Sequence, residues 1–293
     1  MAFTTHLLRV FLREQKLRPL TGKGLFIGRQ SVLFSGADLV RIAGEEGVPL
    51  RNVSVSADDD TRAGGELNDF ELFAHFSDIE FDALDVTDYE KANVIHDMNV
   101  PVPESLAGQY DFVFNGSCMD NLFNPSEFLR NCSRLLKAGG RMVHTEHASS
   151  WPGSYLLFTP DWFLDFFCIN NYRDATVFLC DFVGFKGNHH VVSPWHLWNW
   201  NPLYQGLIEE HSMHMNPSNR LILAIAEKGE DTTDERQPLQ GIYRSNPSLV
   251  DPLYVTCCER YKGSPRIDAY KTAQGVDWGQ SPAISNLRFV GSL

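Results

Sequence analysis

The sequence predicts an α/β domain in which helices cover both faces of a mostly parallel sheet. Strand and helix patterns alternate from residue 23 to residue 182, the arrangement that builds parallel sheets through crossover connections. The strand patterns are short apolar runs, of which Phe112, Val113 and Phe114 form the clearest. Continuous apolar runs of this length are typical of strands that are buried on both faces.

The clearest strand-helix-strand unit covers residues 110–145. A strand at 110–115 precedes a helix at 124–140, with Asn124 as its N-cap and Pro125 in its first turn. Two glycines end the helix, and a strand resumes at 141–145. These signals together predict one βαβ unit.

The remaining elements follow in chain order. The amphipathic segment 5–17 predicts a helix, and it lacks the uninterrupted apolar region of a signal peptide. The later patterns predict a strand at 23–28, a helix at 37–46, a short helix near 70–76, strands at 79–86 and 93–96, a helix from Pro160, and strands at 176–182 and 220–227.

These elements divide the chain into three parts. Residues 1–22 form an N-terminal helix, residues 23–228 form the α/β domain, and residues 229–293 form an extension in which periodicity fades and which is predicted to lie over the domain. An aromatic insertion at 184–218 contains Trp195, Trp198 and Trp200. Insertions of this length in a compact domain are usually functional, so we expect a lid that walls a pocket, with packing in the core as the alternative.

Composition excludes several classes of function. A net charge of −12 and a pI near 5.2 argue against a nucleic-acid partner, which would require clustered Lys and Arg. No apolar run reaches the roughly 18 to 20 residues that span a bilayer, so no integral membrane segment is expected. The six cysteines include no CxxC pair and favour free thiols in a cytoplasmic protein, while the oligomeric state stays open.

Candidate ligand-binding residues lie where the predicted strands end, because ligands of open parallel sheets gather at the carboxyl ends of strands. Gly28 ends the first strand, and Asp85 ends the second. A carboxylate at the end of the second strand can accept hydrogen bonds from both hydroxyl groups of a ribose. The carboxylate of Asp97 can accept a hydrogen bond from an adenine amino group. Gly116 has no side chain, so its backbone can approach a ligand closely. A lone Asp at a strand end is also a common helix or turn cap, which is the alternative for each acid.

A nicotinamide enzyme is disfavoured. Its fingerprint carries three glycines and an acid about 20 residues later. Here Asp85 follows Gly28 by 57 residues, and the three-glycine loop is missing.

The order of these motifs resembles class I S-adenosylmethionine-dependent methyltransferases, and more narrowly a bacterial branch with a GRQ-type first loop. The similarity covers roughly residues 23–182 and is densest at 81–144. It implies a Rossmann-like three-layer sandwich with a mostly parallel seven-stranded sheet and an antiparallel final strand, for which 176–182 and 220–227 are the candidate pair. It also implies S-adenosylmethionine as cofactor. The implied ligand-binding residues are Gly28, Arg29 and Gln30 in the first loop, Asp85 and Asp97 at the nucleoside, and Asn115, Gly116 and Ser117 at the methionine side.

Two positions depart from the family pattern. Most members have a GxGxG loop where this chain has Gly28, Arg29, Gln30 and Ser31, which leaves one glycine for close approach to a ligand. Relatives commonly have an acidic residue and a histidine after the fourth strand, where this chain has Asp120 and Asn121. Asparagine does not take up a proton near neutral pH, so no base is expected at position 121.

Methyl transfer to a hydroxyl acceptor benefits from a nearby base. His147 and Asp120 are the candidates, with His144 as a further strand-end histidine, although a histidine in such a place is often structural. The cluster of His189, His190 and His196 lacks a convincing metal pattern, so no metal is expected.

The predicted function is therefore methylation, at oxygen or nitrogen, of a small acceptor such as a sugar or secondary metabolite. The alternative is a catalytically degenerate methyltransferase-like protein that binds or scaffolds, motivated by the single-glycine loop and Asn121. A further transferase or nucleotide-binding enzyme on the same sheet stays open, because fold does not determine function.

Overall fold

A computed structural model of the chain describes residues 2–51, 67–149, 153–182, 194–204, 219–239, 248–272 and 286–293, with short pieces at 185–186, 190–191, 243 and 246. The central sheet contains nine strands within these ranges: β1 (Thr21–Ile27), β2 (Asp78–Asp85), β3 (Val94–Ile95), β4 (Tyr110–Gly116), β5 (Leu136–His147), β6 (Asp174–Phe182), β7 (His196–Trp200), β8 (Asn219–Glu227) and β9 (Leu287–Ser292).

The strand order across the sheet is β3-β2-β1-β4-β5-β8-β6-β7-β9. Strands β1 to β5 pair in parallel, whereas β8 runs antiparallel between β5 and β6. The Rossmann-like α/β fold class with a late antiparallel strand is thus confirmed. The prediction of seven strands was wrong for the described residues, because β7 and β9 extend the sheet beyond β6 by antiparallel pairing.

Helices lie on both faces of the sheet: α1 (Thr5–Leu17), α2 (Gly36–Glu46), α3 (Asp69–Leu72), α4 (Pro125–Leu135), α5 (Pro160–Ile169), α6 (Pro252–Tyr261) and α7 (Pro265–Ala269). One core packs α1, α2 and α3 against the sheet and is rich in phenylalanine, including Phe3, Phe26 and Phe114. The second core packs α4, α5 and α6 on the other face. The strands between these cores are buried on both sides, as their continuous apolar runs require.

The two ends of the chain belong to the same domain. Glu14 of α1 is fully buried and forms ion pairs with Arg141 of β5 (3.0 Å) and Arg266 of α7 (3.0 Å). Burial alone raises the pKa of Glu14, but the two guanidinium groups outweigh it and hold that pKa below its ordinary value. The C-terminal extension contributes two helices and the edge strand β9, where the sequence predicted an extension that lies over the domain.

Candidate functional site

The candidate site lies between the carboxyl ends of β1 and β4. The strand order reverses there, which is where open α/β sheets form their ligand crevice. Gly28, just after β1, has a φ of +73° and donates its N–H to the carbonyl of Leu84 at 2.8 Å. A Cβ on Gly28 would lie 3.1 Å from Cys118 Sγ and 4.0 Å from Asp85 Oδ2. Backbone conformation and space thus both favour glycine, and the Asp85 carboxylate lies beside it.

Asp69 holds the loop that follows Gly28. Its carboxylate accepts three hydrogen bonds from the guanidinium of Arg29, at 2.6 to 3.0 Å, and one from the backbone N–H of Gln30 at 2.8 Å. The Arg29 guanidinium also lies over the Phe70 ring, 4.0 Å from its centroid. Arg29 is therefore bound by residues of α3, and its bidentate ion pair with Asp69 fixes the loop that follows β1. Sequence reasoning missed Asp69, which falls in a short helix that had no assigned role.

Gln30 spans the crevice between the two strand ends. A Cβ on Gly116 at the end of β4 would lie only 2.5 Å from Gln30 Oε1, so the carboxamide packs directly on this glycine. The side chain is 5% exposed, its Nε2 donates to the carbonyl of Gly28 at 3.2 Å, and its Oε1 accepts no hydrogen bond. A buried acceptor without a donor is costly, which marks Oε1 as an atom that a ligand donor would satisfy.

The two predicted nucleoside acids differ in how they are bound. Asp85 is half-buried, and its Oδ1 accepts the N–H of Val86 at 2.6 Å. Asp97 Oδ1 accepts both the backbone and the side-chain N–H of Asn99 at 2.9 Å, which closes a turn after β3. The backbone hydrogen bond from Asn99, with the side-chain bond, holds the pKa of Asp97 below its ordinary value. Asp97 thus has the turn-capping role that was the alternative, and Asp85 lies closer to the crevice.

Asn115 points into the protein from the end of β4. Its side chain is fully buried, with Nδ2 bonded to His144 Nδ1 (3.1 Å) and Glu146 Oε1 (2.5 Å) and Oδ1 accepting the N–H of Cys118 (2.9 Å). Asn115 therefore joins β4 to β5 and fixes the following loop. Ser117 in that loop has a φ of +62° and donates to Asp120 Oδ2 at 2.8 Å.

Asp120 is the buried acid of this loop. Its Oδ2 accepts hydrogen bonds from Ser117 and from Ser154 (2.7 Å), whereas its Oδ1 has no hydrogen-bond partner. The neighbouring Asn121 donates Nδ2 to the carbonyl of Ser117 at 3.1 Å. Asn121 thus closes the loop structurally, and Asp120 is held by two hydroxyl donors that stabilise a carboxylate.

The strand-end histidines differ in burial and in their neighbours. His144 is fully buried, and burial lowers its pKa to about 3, so it stays neutral and serves as a hydrogen-bonded core residue. Burial also lowers the pKa of His147 at the end of β5, while the charge of Asp120 opposes that shift. His147 is thus a neutral imidazole at neutral pH and can take up a proton, which separates the two candidates. Between them lies Glu146, which is fully buried and which sequence reasoning missed.

The aromatic insertion only partly overlaps the described residues. Trp195 and Trp200 are buried in the two cores, and β7 pairs along the sheet edge, so these two tryptophans pack in the core, as the alternative held. The side chains of His189 and His190 lie outside the described residues, and His196 Nδ1 contacts Ser292 Oγ at 2.9 Å. In the described part of the chain, no group of three or more His, Cys, Asp and Glu residues could hold a metal.

One open cavity of about 550 Å³ lies elsewhere. It is lined by Ile169, Arg236, Leu239, Tyr243, Val250 and Tyr254, among others. Helix α5 begins after the carboxyl end of β5 and runs back to the start of β6. Ile169, at the end of α5, therefore lies near the amino ends of the strands, whereas Asp85 lies at a carboxyl end. This cavity is therefore separate from the crevice at the carboxyl ends of β1 and β4. Within the described ranges no helix is long and apolar enough to cross a membrane.

Comparisons with known proteins give structural similarity without sequence similarity. No model of a known protein family matches the sequence, and no curated protein matches it significantly. Similar solved structures include the CMeT domain of the citrinin polyketide synthase (12% identity, TM-score 0.37, covering 77% of this chain and 52% of that chain). They also include Haemonchus contortus phosphoethanolamine N-methyltransferase 2 in complex with S-adenosyl-L-methionine (11%, 0.37, 76% and 52%).

A third similar structure is a SAM-dependent methyltransferase from Archaeoglobus fulgidus (14%, 0.36, 77% and 95%). The chain thus spans about half the length of the first two and nearly all of the third.

Proposed function

We propose that this protein binds S-adenosylmethionine in the crevice between β1 and β4 and transfers its methyl group to a hydroxyl or amino group of a small molecule. The observation that carries the proposal is the meeting of the Gly28 turn, the Asp85 carboxylate and the unsatisfied Gln30 Oε1 at the point where the strand order reverses. Membership of a bacterial branch with a GRQ-type loop is part of the same proposal.

The residues of the crevice fit the parts of this cofactor. Asp85 would accept hydrogen bonds from the ribose hydroxyls. Asp97 would accept a hydrogen bond from the adenine amino group through the oxygen that does not cap the turn. Gln30 Oε1, which is buried and lacks a donor, would accept a hydrogen bond from the ammonium group of the amino-acid part. Gly28, Gly116 and Ser117 would line that part. Arg29 and Asn115 would act indirectly, by fixing Gln30 and the Cys118 loop. When bound, the cofactor supplies an activated methyl group.

The acceptor would be deprotonated by His147. Its neutral imidazole can take the proton of a hydroxyl group as the oxygen is methylated, or the proton of an ammonium group before its nitrogen is methylated, and the Asp120 charge stabilises the imidazolium that forms. Alignment of the acceptor with the methyl group supplies much of the acceleration in such transfers. Asp120 and His147 are therefore the proposed catalytic pair, and a small acceptor such as a sugar or secondary metabolite is the proposed substrate class.

Calorimetric titration of the purified chain tests the proposal. We expect saturable one-to-one binding of S-adenosylmethionine and of its demethylated product S-adenosylhomocysteine at micromolar concentration. An acceptor screen with the methyl-labelled cofactor then tests transfer. An absence of binding at millimolar ligand contradicts the proposal.

One observation favours a second candidate, a protein that kept the fold as a binding or scaffolding module. The Gln30 carboxamide packs on Gly116, in space that a ligand approaching this glycine would need. In that case replacement of Gln30 by alanine would open the crevice and increase affinity for S-adenosylhomocysteine, whereas the methyltransferase proposal expects affinity to fall.

A further inference from the structure

Glu146 is a fully buried carboxyl group at the carboxyl end of β5 that the proposed reaction does not use. Its Oε1 accepts hydrogen bonds from Asn115 Nδ2 (2.5 Å) and from the backbone N–H of Met119 (3.2 Å). Its Oε2 is buried without a partner, and so is Oδ1 of Asp120, the residue that follows Met119. Two carboxyl groups in one small polar region thus each keep one unsatisfied oxygen.

In the part of the chain that the structure describes, no Lys or Arg forms an ion pair with Glu146 or Asp120. The charge of Asp120, from the loop after β4, acts on Glu146, and Glu146 in turn raises the pKa of Cys118 in the same loop and of Cys132 in α4. His144 and His147 lie on either side of Glu146 along β5. Opposite Glu146, β8 presents the apolar Ile222 between Leu221 and Leu223. Burial raises the pKa of Glu146 well above its ordinary value, and the charge of Asp120 raises it further.

One proton shared between the two carboxyl groups would satisfy both unsatisfied oxygens. A neutral carboxylic acid has a single O–H to donate, and a carboxylate oxygen accepts it. Each carboxyl group accepts two hydrogen bonds on its other oxygen, so these bonds do not distinguish the two. The proton is assigned to Glu146 because that group is fully buried and its pKa is raised. Like charges in a shared buried site also favour protonation of one partner.

We propose that Glu146 keeps its proton at neutral pH and donates it in a hydrogen bond to Asp120 Oδ1, so that the pair carries one negative charge, on Asp120. Glu146 is then a positioning residue. Three hydroxyl donors, from Ser117, Ser154 and Glu146, fix the Asp120 carboxylate whose charge acts on His147. The catalytic meaning rests on the proposed function, whereas the protonation state does not.

The titration of His147 tests the charge of Glu146 without any cofactor. We would follow the histidine ring signals by NMR in wild type, Glu146→Gln and Asp120→Asn, and assign His147 from the spectrum of His147→Gln. Loss of a nearby negative charge lowers the pKa of an imidazole, so Asp120→Asn should lower the His147 midpoint and Glu146→Gln should leave it unchanged. A lowered midpoint in Glu146→Gln overturns the proposal, because it means that Glu146 is ionised.

Infrared spectroscopy reports the proton directly. Wild type should show a protonated-carboxyl band at neutral pH that is lost in Glu146→Gln and kept in the control Glu127→Gln, whose side chain forms an ion pair with Arg134 at 2.7 Å. A wild-type spectrum without such a band overturns the proposal. If Glu146→Gln does not fold, Asp120→Asn decides, because removal of the charged acceptor should shift the band and an unshifted band contradicts the hydrogen bond.

Activity distinguishes positioning from mere structure. Once an acceptor is known, Glu146→Gln should keep the pH profile, since the amide also donates to Asp120, whereas Glu146→Leu should shift its acidic limb. Equal shifts in both variants contradict the positioning role. A failure of cofactor binding would reject the methyltransferase proposal and leave the NMR and infrared outcomes valid.

Discussion

The two halves of strand β5 involve two buried glutamates that behave in opposite ways. In the amino-terminal half, Arg141 pairs with Glu14, which is also bound by Arg266 and stays ionised with a lowered pKa. At the carboxyl end, Glu146 has an acidic neighbour instead, and its pKa is raised. Burial is the same for both, so the charge of the neighbours decides the outcome. The ion pairs of Glu14 stabilise the fold, and the carboxyl end of β5 carries polar groups of the candidate site.

The largest expected effect is the loss of the Glu14 ion pairs. Glu14→Gln leaves two buried guanidinium groups without their carboxylate, which should lower the free energy of unfolding by about 3 to 5 kcal/mol. Urea unfolding measures this, with Asp78→Asn as control because the Asp78–Arg51 pair is exposed and should matter little. Equal losses in the two variants would contradict the contrast between buried and exposed pairs.

The same ion pairs predict how stability depends on pH. Because the folded pKa of Glu14 is depressed, its contribution is present above the pKa of an unfolded glutamate and is lost as pH falls through the folded pKa. Glu14→Gln should therefore flatten the acidic side of the stability profile. An unchanged acid profile would mean that Glu14 has no cationic partners in solution.

Glu146 should show the opposite sign. Its folded pKa is raised, so wild type loses stability as pH rises from the unfolded pKa towards the folded pKa, by up to about 1.4 kcal/mol per pH unit. Glu146→Gln removes this contribution, so its stability relative to wild type should increase as pH rises above the pKa of an unfolded glutamate. Urea unfolding across this range provides the measurement, and a parallel pair of curves would contradict the raised pKa.

How far the sequence predicted this arrangement depends on the range of the interactions. Local signals predicted α4 correctly at its start, where Asn124 accepts the N–H of Glu127 at 3.3 Å. They placed its end too late, because β5 begins at Leu136 through pairing with Tyr110, a contact between distant residues. Strands β7 and β9 were missed for the same reason, since their pairing with each other joins residues as distant as His196 and Ser292.

The candidate site followed the same rule. Strand ends predicted Gly28 and Asp85, which lie next to each other. Asp69 was missed because its partner Arg29 lies 40 residues away. Glu146 left a signal that was available, because an acid within an apolar strand must be buried, and a buried acid has either a partner or a proton.

A smaller effect separates binding from stability. Asp85→Ala should weaken binding of S-adenosylhomocysteine by about 1 to 3 kcal/mol, the usual cost of hydrogen-bonding groups left unmet, with little change in the urea midpoint. Asp88→Ala, an exposed acid on the same loop, is the matched control. An unchanged affinity in Asp85→Ala would remove the nucleoside site from the end of β2.

The smallest and most specific effect is expected for replacement of Gln30. The affinity of the Gln30 variant for its ligands tests directly whether the crevice between β1 and β4 binds the amino-acid part of the cofactor. Calorimetry would compare S-adenosylhomocysteine with 5′-methylthioadenosine, which has the same nucleoside but lacks the amino-acid part, in wild type and Gln30→Ala. The account predicts a loss of about 1 kcal/mol for S-adenosylhomocysteine alone, from one unmade hydrogen bond. Equal affinity changes for the two ligands, or no change for either, would contradict it.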